Sequence, residues 1–237
     1  MKINDLEKLI LSNSFEDAAN ENLVDIVDQN NETILIHLVK KKIIFSSGYL
    51  NSERVNHKCL KGRNLVMYML KYDNLNLFDN ALKFLNDPNQ VDNHSFSILD
   101  YALLVDNSYF TKILNLKKVK FEKLNNQWPT IFNAIALGNY KAFIQLLNIT
   151  KNINQQSSNQ YTLLNYAIMR HRNDICKDLI SHGADIYIED SRKWNSIFYA
   201  AYFKNTEILD ILKNKINKFF FKKKDLFNNS VDYYLNK

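Results

Sequence analysis

The stretch Thr162-Leu163-Leu164-Asn165-Tyr166-Ala167, followed one helix later by Ser181-His182-Gly183-Ala184-Asp185-Ile186, decides how this chain is read. Between the two blocks Ile175, Leu179 and Ile180 recur at the spacing of a single helix face, and Ile208, Ile211 and Leu212 show it again one period later. Taking Ala167 as the reference, Leu38, Met69, Ala102, Ala134, Ala200 and Leu235 fall into the same column, with separations near 33 residues. Units that return at such a period stack side by side, each burying its apolar face on the next and together presenting one long surface.

The two blocks resemble the T-P-L-H-x-A and x-H-G-A-D-x motifs of ankyrin repeats. The likeness extends to Thr33-Ile34-Leu35, Asn64-Leu65-Val66-Met67-Tyr68-Met69, Ser97-Ile98-Leu99-Asp100-Tyr101-Ala102, Pro129-Thr130-Ile131-Phe132-Asn133-Ala134 with Gly138-Asn139 behind it, and Asn195-Ser196-Ile197-Phe198-Tyr199-Ala200. It is strongest from Asn125 to Leu212 and weak before Cys59, and residues 40–54 lack a recognisable closing motif. The resemblance implies an all-α ankyrin-repeat solenoid of stacked helix-turn-helix units joined by short hairpin loops. Its expected layout is an N-terminal helical cap over 1–27, repeats over 28–212 and a basic C-terminal cap over 213–237. A HEAT or tetratricopeptide solenoid is the competing architecture; the Ser181 to Ile186 match and the polar hairpin before each first helix argue against it.

Composition agrees with a globular chain: of 237 residues 46% are hydrophobic and 24% charged. Only 4 Gly and 2 Pro serve many turns, so Asn is expected at the left-handed positions. Cys59 and Cys176 match no metal or redox spacing and are read as reduced thiols of an intracellular protein. Met1 to Ile10 carries charges through its apolar residues, unlike a signal peptide, and no apolar run is long enough for a membrane span. The expected compartment is cytoplasmic, of the producing cell or of a host if the protein is delivered. Net charge is +6 and uneven: residues 1–30 hold two lysines against seven carboxylates, whereas residues 191–237 hold ten basic against four acidic groups.

The resemblance also suggests a binding face. In ankyrin repeats the residue before the Thr of the motif lies on the hairpin and tends to contact partners; here that column reads Glu32, Arg63, Phe96, Trp128, Tyr161, Trp194 and Asn229. With repeats about 10 Å apart, the four consecutive aromatics would form an exposed row roughly 30 Å long, a hot-spot geometry for a protein partner. The alternative is a ladder of rings packed on one another. Leu104-Val105, Ala136-Leu137, Met169-Arg170 and Tyr202-Phe203 stand at the ends of first helices, where the family also meets partners. The expected partner-binding set is thus Phe96, Trp128, Tyr161, Trp194, Arg63, Met169, Arg170, Tyr202 and Phe203.

A second constellation sets Phe219-Phe220-Phe221 among Lys213, Lys215, Lys218, Lys222, Lys223 and Lys224, candidate anion-binding residues for nucleic acid or an anionic membrane. No nucleic-acid motif matches this fold, so a protein is the expected partner. Catalysis is not expected: the five histidines are scattered, and no nucleophile elbow, phosphate loop or metal-ligand spacing occurs. The chain is expected to need no cofactor or metal, to be monomeric when unbound, and to act by capturing a protein, as a host-targeting effector or as an inhibitor or immunity protein.

Overall fold

The computed structural model describes residues 23–122 and 128–237. The chain divides into two compact units, Met1–Lys120 and Phe121–Lys237. Most of the cap expected over 1–27 lies outside the described residues.

The hairpins set the repeat. In the first, the Asp28 amide donates to the Glu32 carbonyl at 3.1 Å and the Asn31 amide to the Asp28 carbonyl at 3.0 Å; the same pair of bonds closes the turns at Cys59/Arg63, Asp92/Phe96, Ser157/Tyr161, Asp190/Trp194 and Asp225/Asn229. Where the turn opens on Asp28, Asp92, Asp190 or Asp225, Oδ1 accepts the amides two and four residues on at 2.8 to 3.0 Å. The side chain thereby substitutes for backbone partners the tight turn lacks. Successive hairpins are tied by Leu60 N–H to Asn30 O at 2.9 Å, Asn93 N–H to Lys61 O at 3.0 Å, and Leu226 N–H to Arg192 O at 3.0 Å.

The fourth residue of each turn is left-handed: Asn31, Gly62, Ser95, Gln160, Lys193 and Asn228 have φ between 57° and 73°. Asn does not dominate these positions as the composition suggested. Of the non-glycine left-handed residues described, only Asn31 and Asn228 are Asn, while Lys42, Lys118, Lys193 and Lys204 are Lys. The hydrogen bonds around the turn impose the conformation, so a side chain free to extend into water is tolerated. Gly62 is a real requirement, because a Cβ there would meet Asn93 Oδ1 at 2.5 Å and its backbone nitrogen at 3.1 Å.

Each hairpin feeds a helix through a capping residue. In the first unit the helices are α1 (Ile34–Lys40), α2 (Ser52–Asn56), α3 (Leu65–Lys71), α4 (Phe78–Leu82), α5 (Ile98–Ala102) and α6 (Asn107–Leu114), with 3-10 turns at Leu23–Asp25 and Ser47–Tyr49. The second unit has α7 (Thr130–Leu137), α8 (Tyr140–Ile149), α9 (Leu163–Met169), α10 (Asn173–Ser181), α11 (Ser196–Tyr202), α12 (Thr206–Lys213), α13 (Phe219–Lys222) and α14 (Val231–Leu235). Thr33, Asn64, Ser97, Thr162 and Ser230 accept an amide of the first turn, satisfying one of the donors a helix start leaves open. Asn195 occupies the same position without making that bond.

First helices pack on first helices, α1 on α3 on α5 in one unit and α7 on α9 on α11 on α14 in the other, with the second helices behind them. Leu38, Met69, Ala102, Ala134, Ala167 and Ala200, the reference column, are buried in this seam. Carbonyls at the ends of first helices are satisfied by the following unit: Asn74 Nδ2 donates to Val39 O at 3.3 Å, Arg172 Nε to Ile135 O at 3.2 Å, and Asn205 Nδ2 to Ile168 O at 3.4 Å. Residues 225–235, expected within a basic cap, form the same hairpin and first helix as the units before them. Among the described residues no helix is long and apolar enough to cross a membrane.

Candidate partner-binding face

The hairpin column was expected to face outward, and much of it faces the next repeat instead. In the first unit Glu32 is buried, with Tyr68 Oη donating to its Oε1 at 2.5 Å and Lys40 Nζ to its Oε2 at 2.8 Å. Burial opposes the Glu32 charge, but the Lys40 and Tyr68 hydrogen bonds prevail and hold its pKa below the ordinary value. Arg63 is 8% exposed and donates through Nε to Asp92 Oδ2 at 2.9 Å and Tyr101 Oη at 2.6 Å, one repeat on. Asp92 is buried as well; the Tyr101 hydroxyl, the Phe96 and His94 amides and Arg63 together outweigh that burial and depress its pKa. Phe96 remains exposed, edge-on to Tyr101 at 6.2 Å.

In the second unit the same column is aromatic at Trp128, Tyr161 and Trp194 and ends on Asn229. Trp128 is half-buried, its ring 6.3 Å from Tyr161 and 5.1 Å from Tyr166, and its Nε1 donates to Ser158 Oγ at 3.1 Å. Tyr161, also half-buried, lies edge-on to Tyr199 at 6.0 Å, and Tyr199 edge-on to Trp194 at 5.7 Å. Trp194 is only 3% exposed. Its Nε1 donates to Asp225 Oδ2 at 2.8 Å, Arg192 covers one ring face at 4.2 Å, and Tyr234 packs edge-on at 5.2 Å. Expectations for Arg63 and Trp194 as exposed anchors are therefore corrected. Each has a carboxylate of the following hairpin within reach, and burial on that partner removes it from the surface.

The residues that make this lock were not singled out in the sequence. They stand nine positions after the residue that opens each hairpin. Tyr101 Oη donates to Asp92 Oδ2 at 2.7 Å, Tyr199 Oη to Asp190 Oδ2 at 2.8 Å, and Tyr234 Oη to Asp225 Oδ2 at 2.7 Å. Cys59 Sγ and Tyr68 Oη lie 3.4 Å apart, and His37 Nε2 and Asp28 Oδ2 3.2 Å apart, at the same spacing. The signal was present as an Asp-to-Tyr interval repeated at the period of the chain.

The ends of the first helices are different. Leu137, on α7, and Tyr202, on α11, are each 50% exposed, Arg170 just beyond α9 is exposed, and Met169 and Phe203 are half-buried. Tyr202 rests against Trp194 at 4.8 Å, Phe203 stacks on Tyr199 at 6.2 Å, and Arg170 Nη2 donates to the Ala136 carbonyl at 3.3 Å. Tyr202 and Phe203 are thus held by the buried ladder beneath them. In the first unit Leu104 occupies the corresponding place and is exposed.

Neither Cys176 nor Tyr199 is prepared as a nucleophile. Burial pushes the Cys176 thiol well above its ordinary value, opposite to the direction a reactive thiolate requires, and burial likewise raises the Tyr199 hydroxyl. Asp28, Glu32 and His37 bring ligand atoms within 4.8 Å of one another, but Glu32 already holds Lys40 and Tyr68, which makes the group an ion cluster of the repeat.

Within each unit, stacked helical pairs joined by hairpins define a repeat-built domain. Residues 131–225 match the family model for ankyrin repeats, in three copies. The human ASB11 ankyrin repeat domain superposes with a TM-score of 0.70 at 17% identity, over 84% of this chain and 90% of that one. The ankyrin repeat domain of Bcl-3, described as a unique member of the IkappaB protein family, superposes with a TM-score of 0.68 at 10% identity, over 88% and 98%. At those identities the likeness is one of fold. A comparison with curated protein sequences found no match. Residues 131–225 are thus ankyrin repeats and the chain has the fold of ankyrin repeat domains; such repeats are a general protein-protein interaction module.

Proposed function

We propose that the chain is a non-catalytic module that binds a protein partner on the first-helix ends and hairpins of its second unit, with Tyr202, Leu137, Arg170 and Met169 at the centre and Trp128, Tyr161 and Phe203 contributing their exposed edges. The observation that carries this reading is the half-exposed Tyr202, a large aromatic seated on the buried Trp194 ring. A ring pre-positioned by its neighbours loses little rotamer freedom on binding, which suits it to anchor an interface. A delivered effector and an immunity protein would both use this face and differ in the partner they hold.

The test is a pull-down from the native host lysate with wild type beside Tyr202→Ala/Arg170→Glu, followed by titration of the captured protein. A partner retained by wild type, with affinity lower by about 2 kcal/mol for the variant, supports the face. Equal retention by both, with the helical signal intact, moves the interface elsewhere.

A further inference from the structure

Between the last second helix, α12, and the final hairpin lies a short segment that uses neither hairpins nor first helices. Here α13 is pinned from one side: Phe220 packs against Tyr187 at 4.8 Å, and Lys223 pairs with Glu189. What remains faces water. Phe219 is 68% exposed, and Lys215, Lys218, Lys222 and Lys224 are exposed and make no ion pair among the described residues. Lys213 is exposed as well, beside Asp210 at 3.2 Å.

We propose that this segment seats the protein on an anionic lipid surface, Phe219 entering the headgroup layer while Lys215, Lys218, Lys222 and Lys224 contact lipid phosphates and carboxylates. Charge complementarity commits the surface to an anionic occupant, because four exposed lysines are gathered within ten residues and none makes an ion pair among the described residues. Membrane is favoured over nucleic acid by the state of the rings. A single strand is held by several free aromatic faces in succession. Here Phe220 is covered by Tyr187 and stands edge-on to Phe219 at 85°, and Phe221 is half-buried, so Phe219 is the one largely exposed ring of α13, which is what interfacial insertion needs. Each lysine at an anionic surface strengthens binding by about fivefold, and inserted apolar area adds to it.

The experiment is vesicle flotation of the full chain with phosphatidylcholine alone and with about one third phosphatidylserine, at low and physiological salt, with a single-stranded RNA oligonucleotide titrated in parallel. Expected is binding to the anionic vesicles only, weakened more than tenfold by Lys218→Glu/Lys222→Glu and several-fold by Phe219→Ser. All three positions are exposed, and the helical signal of each variant checks the fold. A Phe219→Trp variant should shift its emission to the blue on binding. Absence of binding to anionic vesicles at low salt, equal binding by the variants, no emission shift, or tighter binding to RNA than to vesicles would overturn the proposal.

Discussion

The two units solve the same problem with different chemistry. In the first, two of the three residues before the helix caps are charged and reach forward to an oppositely polarised group, Glu32 to Tyr68 and Arg63 to Asp92 and Tyr101, while Phe96 stays exposed. In the second, three of the four, Trp128, Tyr161 and Trp194, are aromatic and reach forward to rings, Trp128 to Tyr161 and Trp194 to Tyr234, with Asp225 taking the indole N–H of Trp194. A hairpin column in a stacked array therefore belongs to the joint between repeats before it belongs to a partner. What stays outside is the tier above the joint, Tyr202 in the aromatic unit and Leu104 in the ionic one.

The contrast predicts where each joint breaks. Trp194→Ala removes a buried ring and deprives Asp225 of a donor, and should cost about 3 to 5 kcal/mol by chemical denaturation. A cost below about 1 kcal/mol would mean that the ladder is ornamental and Trp194 is free for other work. Arg63→Ala leaves Asp92 buried beside Tyr101 with its cation gone, and should cost about 3 kcal/mol. Its loss should appear in amide exchange of α3 and α5, while the amides of the second unit keep their protection.

Acid should separate the units further. Asp28, Glu32 and Asp92 in the first unit all have pKa values held below the ordinary carboxylate range, against Asp225 in the joints of the second. A carboxylate with a depressed folded pKa contributes stability that is complete above about pH 4 and is lost as pH falls through the folded value. Amide exchange followed from pH 6 down to pH 3 is expected to open the hairpins of the first unit before those of the second. Simultaneous opening would count against the division into ionic and aromatic joints.

The smallest effect is a gain. Asn195 is fully buried, makes no cap bond, and leaves both side-chain polar atoms without a partner. Thr162 in the same place caps α9 by accepting from the Asn165 amide at 3.1 Å. Asn195→Thr should raise stability by about 1 kcal/mol, read as a higher denaturation midpoint with an unchanged slope.

The period, the helices and the buried seam were legible because each follows from spacing: Ala102, Ala134, Ala167 and Ala200 recur at one interval and all lie in the core. The helix starts were legible for the same local reason, a capping residue such as Thr33, Ser97 or Thr162 followed by an apolar run. Which side of the array a residue faces is not local. Trp128 and Trp194 hold the same position in the motif and each packs on a tyrosine one repeat on, Tyr166 and Tyr234, yet Trp194 is buried with Asp225 on its indole N–H and Arg192 over its ring, while Trp128 meets the smaller Ser158 and stays half-exposed. Lys193 and Lys204 adopt left-handed turns that composition assigned to Asn, because hydrogen bonds from neighbouring backbone close the turn whatever the side chain. Read alone, the residues settle what recurs along the chain. Burial, exposure and the joints between repeats are decided by contacts between residues about one period apart, and those exist only once the units are stacked.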